Sequence, residues 1–136
     1  MIVGYTQGTF DMFHIGHLNL IKRAKEQCDY LIVGVNSDEL VLSYKNKHTI
    51  VPLDERIETV SALMYVDKVV ICSTLDKMAA YLEHKFDIVF IGDDWKNSDR
   101  WKDTENSLSK VGVKVVYLPY TKNTSSTLLR EKLNGY

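Results

Sequence analysis

Short apolar runs alternate with segments of helical periodicity along this chain. Five runs rich in β-branched residues are bounded by glycine, proline or polar residues, so they predict strands. They are residues 2–5, 30–35, 68–72, 87–92 and 113–118. Between them, apolar residues recur at helical spacing or follow a capping residue, which predicts helices. These are residues 17–27, 39–42, 54–63, 77–84, 101–111 and 127–133.

The strand runs lack polar alternation, as residues 31–35 (LIVGV) and 88–91 (IVFI) show. Such runs are typical of parallel strands that are covered on both faces. The sequence therefore predicts an α/β fold, a Rossmann-like doubly wound sheet of five parallel strands, in a single domain over residues 1–136. Ligands bind beyond the carboxyl ends of such strands, so the residues that follow each strand are the candidates for a site.

The composition is that of an ordinary globular protein. The 136 residues are 45% hydrophobic and 26% charged, with a net charge of −1, which gives no reason to expect a nucleic-acid or membrane partner. Cys28 and Cys72 lack the spacing of zinc ligands and predict buried free thiols in a reducing compartment. No segment has the pattern of a signal peptide or the length of a membrane span, so we expect a cytoplasmic protein.

Residues 8–17, GTFDMFHIGH, form the turn between the first strand and the first helix. Gly8 allows a ligand to approach the backbone, and the helix start favours an anion. His14 and His17 can lie on one side of that start, with Gly16 leaving room between them. Two imidazoles and backbone amides predict a phosphate site. The alternatives are two surface histidines or a metal pair with Asp11 as third ligand, and the positive end of the helix dipole disfavours the metal pair.

Lys45 and Lys47 lie in a polar loop over residues 43–49, between the second strand and the next long helix. They are either solvated surface lysines or cations that approach a phosphate. Arg56 opens the following helix, where it could be a surface cation that pairs with Asp54 or Glu58. Asp38 follows the second strand and is placed to orient a lysine or a hydroxyl group.

Polar residues also follow the fourth and fifth strands. Asp93, Asp94 and Trp95 either contact a ligand or form a solvated loop. Ser125 and Ser126 can cap the last helix, and a phosphate can bind at the same helix start. The remaining histidines, His48 and His84, carry no signal and are expected at the surface.

GTFDMFHIGH resembles the GTFD-x-x-H-x-G-H signature of the cytidylyltransferase family in the nucleotidyltransferase superfamily. Residues 65–67 (YVD) resemble the end of that family's RYVD segment, and residues 92–95 (GDDW) match bacterial glycerol-3-phosphate cytidylyltransferases. Residues 117–119 (YLP), with 121 and 125–127, resemble their YLPRTEGISTT segment, and a lysine pair lies where Lys45 and Lys47 lie. The resemblance covers nearly the whole chain.

The resemblance implies a reaction of CTP with a small phosphorylated alcohol, most often glycerol-3-phosphate, which yields a CDP-alcohol and pyrophosphate by in-line attack. It implies Mg²⁺ bound with CTP, with Asp11 as a further ligand or as an orienting group, and a homodimer. The implied catalytic residues are His14, His17, Lys45 and Lys47. The implied nucleotide-binding residues are Gly8, Thr9, Phe10, Gly16, Gly92, Asp94, Thr121, Ser125, Ser126 and Thr127. The implied substrate-binding residues are Asp11, Asp38, Arg56 and Trp95.

The chain departs from the family pattern at two arginines. Met64 and Tyr120 stand in their places, and Lys122 restores one charge from a shifted position. Residues 96–109 form a longer segment than in those enzymes. A methionine or tyrosine cannot reproduce the bidentate contact of arginine with phosphate. The alternatives are therefore another acceptor phosphate, an ATP-dependent adenylyltransferase, or a nucleotide-binding domain without catalysis.

Overall fold

The computed structural model describes residues 1–93, 96, 98–119 and 133. The five strands are β1 (Val3–Gly8), β2 (Tyr30–Asn36), β3 (Lys68–Cys72), β4 (Ile88–Gly92) and β5 (Lys114–Leu118). The helices are α1 (Ile15–Glu26), α2 (Asp38–Lys45), α3 (Leu53–Ser61), α4 (Lys77–His84) and α5 (Asp99–Ser109). Within the described residues, no helix combines the length and the apolar character needed to cross a membrane.

All strands pair in parallel in one sheet of order β3-β2-β1-β4-β5, which confirms the predicted fold. Helices cover both faces. Leu31, Val33 and Val35 pack with α1 and α3, while Ile32 packs on the other face with the cluster that includes α4 and α5. Successive residues of β2 are thus buried on opposite faces, which explains its unbroken apolar run.

Strand β1 lies between β2 and β4, where the order of the strands reverses. This topology opens a crevice at the carboxyl ends of the strands. The Thr6 hydroxyl donates to the Phe90 carbonyl over 3.0 Å and joins β1 to β4 just below that edge. The crevice therefore lies beside the turn that follows β1.

Several element boundaries differ from those predicted. Helix α1 begins at Ile15 rather than at residue 17, because a side chain of the preceding histidine caps it. Helix α2 continues to Lys45, so the first part of the predicted 43–49 loop is helical, and Asn46 ends it in the left-handed region with φ 53°. The predicted helix 127–133 lies outside the described residues except for its last position.

The remaining histidines and the cysteines have distinct surroundings. His48 is exposed as predicted, but His84 is half-buried and stacks on Tyr5 with ring centroids 6.2 Å apart, so the surface prediction for His84 is wrong. Cys28 and Cys72 are free thiols; Cys72 is buried and Cys28 is half-buried. Burial raises the pKa of both thiols.

Candidate active site

The two histidines of the β1–α1 turn form a reciprocal cap at the start of α1. His14 is the N-cap residue, and its Nδ1 accepts the Gly16 amide over 3.0 Å. His17 is the third helical residue, and its Nδ1 accepts the backbone N–H of His14 over 3.2 Å. The rings stack with centroids 3.9 Å apart. The H-x-G-H spacing is therefore a capping box made of imidazoles.

This cap determines which ring nitrogen carries the proton. Because both Nδ1 atoms accept hydrogen bonds, each neutral imidazole has its proton on Nε2. Burial, followed by the neighbouring His14, lowers the pKa of His17 to about 3. Burial also lowers the pKa of His14. At neutral pH the pair consists of uncharged rings whose Nε2–H groups are available as donors.

The Nε2 of His14 is buried without a hydrogen-bond partner among the described residues. An unsatisfied buried donor lowers stability, and an acceptor that reaches it restores the lost bond. A phosphate oxygen is a strong acceptor of this kind. The Nε2–H of His14 is therefore a donor that an anion at the helix start could satisfy.

The side chain of Phe10 belongs to the core and also forms part of the wall of the site. It is buried, and its ring meets the ring of His17 edge-on with centroids 5.4 Å apart. Phe10 and Met12 have φ values of 55° and 48°, a left-handed turn that is strained for residues other than glycine. A Cβ on Gly8 would lie 3.0 Å from the Phe10 ring. Phe10 therefore supports the ring of His17 from below.

Asp11 connects the β1–α1 turn to the segment that precedes α3. Its carboxylate oxygens accept the backbone N–H groups of Ile50 and Val51 over 2.9 and 2.8 Å. The residue is buried. Asp11 therefore orients a neighbouring segment, which is one of the two roles predicted for it; a direct ligand contact stays a prediction.

Arg56 is fully buried and connects three segments. Its Nη1 donates to the carbonyls of Thr9 and Asn36 over 2.8 and 2.7 Å, and its Nε donates to the carbonyl of Val51 over 2.9 Å. Its Nη2 pairs with the Asp38 carboxylate. The reading of Arg56 as a surface cation is wrong, because its helix faces inward at this position.

Asp38 completes the Arg56 contacts. Burial alone would raise the pKa of this carboxyl, but hydrogen bonds from Thr49 and Arg56 hold it below its usual range. Its carboxylate also accepts the Thr49 hydroxyl over 2.8 Å. Arg56 and Asp38 thus join the β1–α1 turn, the end of β2 and the segment before α3 through contacts within the protein. Contact of either residue with the substrate stays a prediction.

A polar network crosses the edge of the sheet beneath the turn. The Gln7 amide donates to Asn36 Oδ1 over 2.8 Å, and Asn36 Nδ2 donates to the Thr9 and Tyr44 hydroxyls over 3.3 Å each. Sequence reasoning named Thr9 but missed Gln7 and Tyr44. Asn36 directly follows the predicted second strand, so it was among the positions expected near a ligand. Nothing in the sequence pattern distinguished Tyr44.

A cleft of about 470 Å³ lies above this network. The β1–α1 turn and α1 form one side, and the end of α2 brings Lys45 to it, with Lys47 following. Helices α4 and α5 form the opposite side. The polar lining of the cleft includes Thr9, His17, Lys45, Lys47, Lys77 and Arg100.

The chain matches the cytidylyltransferase-like family model over residues 5–132. It belongs to the cytidylyltransferase-like family. The glycerol-3-phosphate cytidylyltransferase of Bacillus subtilis (strain 168) is 35% identical to it over 132 residues, which cover 96% of this chain and 95% of that protein. The enzyme of the same name from Staphylococcus aureus (strain NCTC 8325 / PS 47) is 33% identical over 96% of this chain and 93% of its own length.

The fold of this cytidylyltransferase-like protein is also found among solved structures. The lipopolysaccharide core biosynthesis protein from Thermoplasma volcanium GSS1 superimposes with a TM-score of 0.74 at 28% identity. The match covers 91% of this chain and 99% of that one. The resemblance inferred from the GTFDMFHIGH segment is thereby confirmed.

The structure brings many of the residues that the family resemblance implies to the cleft, but not all. Gly8, Thr9, Phe10, Asp11, His17, Lys45 and Lys47 line it. His14, Gly16, Gly92, Asp38 and Arg56 are not among the residues that line it. Asp94, Trp95, Thr121, Ser125, Ser126 and Thr127 lie outside the described residues, so their assignments stay predictions.

One departure from the family's pattern lies away from the lining of this cleft. Met64 is 86% exposed and is not among the residues that line the cleft. The other position, Tyr120, lies outside the described residues.

Sequence reasoning missed Lys77, the first residue of α4. It is 7% exposed, and its Nζ donates to the Leu75 carbonyl over 2.9 Å. Burial, followed by the nearby positive charge of Arg100, lowers the pKa of Lys77 to about 8. Its position shortly after β3, at the carboxyl edge of the sheet, was the signal that could have identified it.

Proposed function

We propose that this protein is a CTP-dependent cytidylyltransferase that forms CDP-glycerol and pyrophosphate from CTP and glycerol-3-phosphate. The two curated relatives carry that activity in their names and match nearly the full chain. The observation that carries the proposal is the histidine cap, which holds two neutral Nε2–H donors at the start of α1 beside the cleft.

The proposed reaction is an in-line displacement. An oxygen of the acceptor phosphate attacks the α-phosphorus of CTP, the bond from that phosphorus to the bridging oxygen breaks, and pyrophosphate leaves with the electron pair. The attacking phosphate monoester is already anionic, so no general base is required. Catalysis then consists of positioning the reactants and stabilising negative charge on the phosphate oxygens.

The residues of the cleft suit that task. His17 donates from an uncharged ring, and its low pKa keeps it uncharged throughout the physiological range. Lys45 and Lys47 are exposed at the end of α2 and just beyond it, where their ammonium groups can approach a triphosphate. The Thr9 hydroxyl, held by Asn36, adds a further polar group to the same side.

We propose that Mg²⁺ enters the site with CTP. Among the described residues, no three His, Cys, Asp or Glu side chains are grouped as a metal site, and both Asp11 oxygens accept backbone amides. These residues therefore fit a metal that is held mainly by triphosphate oxygens, where it would neutralise phosphate charge. Removal of Mg²⁺ with EDTA should abolish turnover, and added Mg²⁺ should restore it.

We further propose that the enzyme is a homodimer that works in the cytoplasm. Free thiols at Cys28 and Cys72 fit a reducing compartment. Light scattering coupled to gel filtration should give twice the mass of the 15.6 kDa chain.

Pyrophosphate release with Mg²⁺, CTP or ATP, and a panel of phosphorylated alcohols tests the function. Glycerol-3-phosphate with CTP should give turnover, and His17→Gln, which keeps a residue suited to the third position of the cap, should lower it sharply. Turnover with ATP alone would make the protein an adenylyltransferase. Tight CTP binding without turnover for any pair would make it a binding domain.

A further inference from the structure

A line of hydrogen-bonded side chains runs from the core of the protein to the Thr9 hydroxyl. The Tyr5 hydroxyl donates to Gln7 Oε1 over 2.8 Å, and Gln7 Nε2 donates to Asn36 Oδ1 over 2.8 Å. Asn36 Nδ2 then donates to the Thr9 and Tyr44 hydroxyls over 3.3 Å each. The line therefore ends in two hydroxyl groups, and both of their side chains line the cleft.

A backbone carbonyl fixes the direction of the hydrogen bonds in this line. Gln7 Nε2 also donates to the carbonyl oxygen of Thr74 over 3.0 Å, and a carbonyl oxygen only accepts. The amide nitrogen of Gln7 therefore faces Asn36. Asn36 is buried, and a reversed Asn36 amide would place two NH₂ groups against each other. The amide nitrogen of Asn36 must therefore point at the two hydroxyls.

The two hydroxyls then share their protons in one favoured arrangement. Thr9 Oγ1 and Tyr44 Oη lie 3.3 Å apart, so one of them donates to the other. A phenol is a stronger donor and a weaker acceptor than an aliphatic hydroxyl, so Tyr44 donates to Thr9. Thr9 Oγ1 thus accepts from both Asn36 and Tyr44, which uses its two lone pairs. No acceptor for the remaining Thr9 proton is found within the described part of the chain.

Resting on the proposed function, we propose that Tyr44 is a positioning residue that, with Asn36, turns the hydroxyl proton of Thr9 toward a phosphate oxygen of CTP. Phosphate oxygens only accept hydrogen bonds, so Thr9 can bind one only when its proton points away from Tyr44. Without the Tyr44 hydroxyl, the Thr9 hydroxyl can rotate, and binding a phosphate oxygen then has to restrict that rotation.

A double-mutant cycle of Tyr44→Phe and Thr9→Val tests the proposal through kcat/KM for CTP. Tyr44→Phe removes one oxygen and should lower kcat/KM by roughly 3- to 10-fold, and Thr9→Val should lower it by roughly 10- to 100-fold. If Tyr44 acts through Thr9, adding Tyr44→Phe to Thr9→Val should cause no further loss. In Thr9→Ser, which keeps the hydroxyl, Tyr44→Phe should again cause its loss.

Tyr30→Phe is the matched control, because Tyr30 is half-buried in β2 and does not line the cleft. It should keep the wild-type kcat/KM. A full rate in Tyr44→Phe would overturn the proposal. So would an equal loss from Tyr44→Phe in the wild-type and Thr9→Val backgrounds, because Tyr44 would then act independently of Thr9, for example by holding Lys45.

A wild type that releases no pyrophosphate with any pair of nucleotide and acceptor refutes the proposed function instead. Calorimetry of the same variants with CTP and with ATP, each with Mg²⁺, then decides the role of Tyr44. The Kd values should show the same loss from Tyr44→Phe and the same absence of a further loss in Thr9→Val. A wild type that binds neither nucleotide would overturn this proposal as well.

Discussion

His17 should make the stability of this protein depend on pH between 7 and 5. The folded-state pKa of His17 is about 3, against an ordinary value of 6.5 for a free imidazole. Below pH 6.5 the unfolded chain takes up a proton that the folded ring excludes, so acid favours unfolding. The contribution is fully present above pH 6.5 and is lost as the pH falls from there toward 3. At pH 5 the loss amounts to about 2 kcal/mol.

Replacing His17 by glutamine should remove this dependence while keeping the cap. Glutamine is favoured at the third helical position, where its side chain can still accept the backbone N–H of His14. Urea unfolding of wild type and His17→Gln at pH 7 and pH 5, followed by tryptophan fluorescence, gives four free energies of unfolding. The decrease between the two pH values should be about 2 kcal/mol smaller in the variant.

Two comparisons make this test decisive. Other titrating groups are shared by both proteins, so they cancel in the difference. His48→Gln removes an exposed imidazole and serves as the control for the loss of a histidine as such. If wild type and His17→Gln lost equal stability on acidification, the ring of His17 would be as free to protonate as a solvated one, and the argument from burial would be refuted.

Three further predictions concern the scaffold and the lysine pair. Arg56→Met should lower the free energy of unfolding by about 3–5 kcal/mol, because it leaves buried carbonyls without their donor, and a loss below about 1 kcal/mol in urea unfolding would contradict this. Gly34→Ala should lower it by about 1–3 kcal/mol, since the new Cβ would lie 2.5 Å from Cys72 Sγ and 2.6 Å from Tyr5 Oη; an unchanged urea midpoint would show that these groups move freely. Lys45→Gln and Lys47→Gln should each lower kcat/KM by roughly 10- to 100-fold with unchanged thermal midpoints, and a full rate in either would remove that lysine from the site.

The five strands, their parallel arrangement and their burial on both faces were predictable, because they depend on the local composition of each strand. Residues 68–72 and 77–84 were predicted with the bounds that the structure shows, since each is flanked by clear turn or capping residues. The start of α1 was not, because a histidine N-cap is uncommon and its effect depends on the other histidine three residues later.

The part of the candidate site that comes from a single segment of the chain was predictable. The GTFDMFHIGH segment contains its donors within ten residues. Arg56 and Asp11 were harder to interpret, because their partners lie far along the chain. The sequence alone does not indicate whether a charged residue is buried or exposed. Lys77 follows a strand end, which is a signal in the sequence, whereas Arg100 reaches the cleft only through the packing of α5 against α4.

The contacts of Arg56 divide the site into two halves with different freedom to evolve. The β1–α1 turn, the end of β2 and the segment before α3 share one guanidinium, so a change in any of them is transmitted to the others. Lys77 and Arg100 stand outside that arrangement, on helices that hold none of its acceptors. A substitution in α4 or α5 therefore leaves the Arg56 contacts intact, whereas a substitution that shifts the β1–α1 turn, the end of β2 or the segment before α3 disturbs all of them.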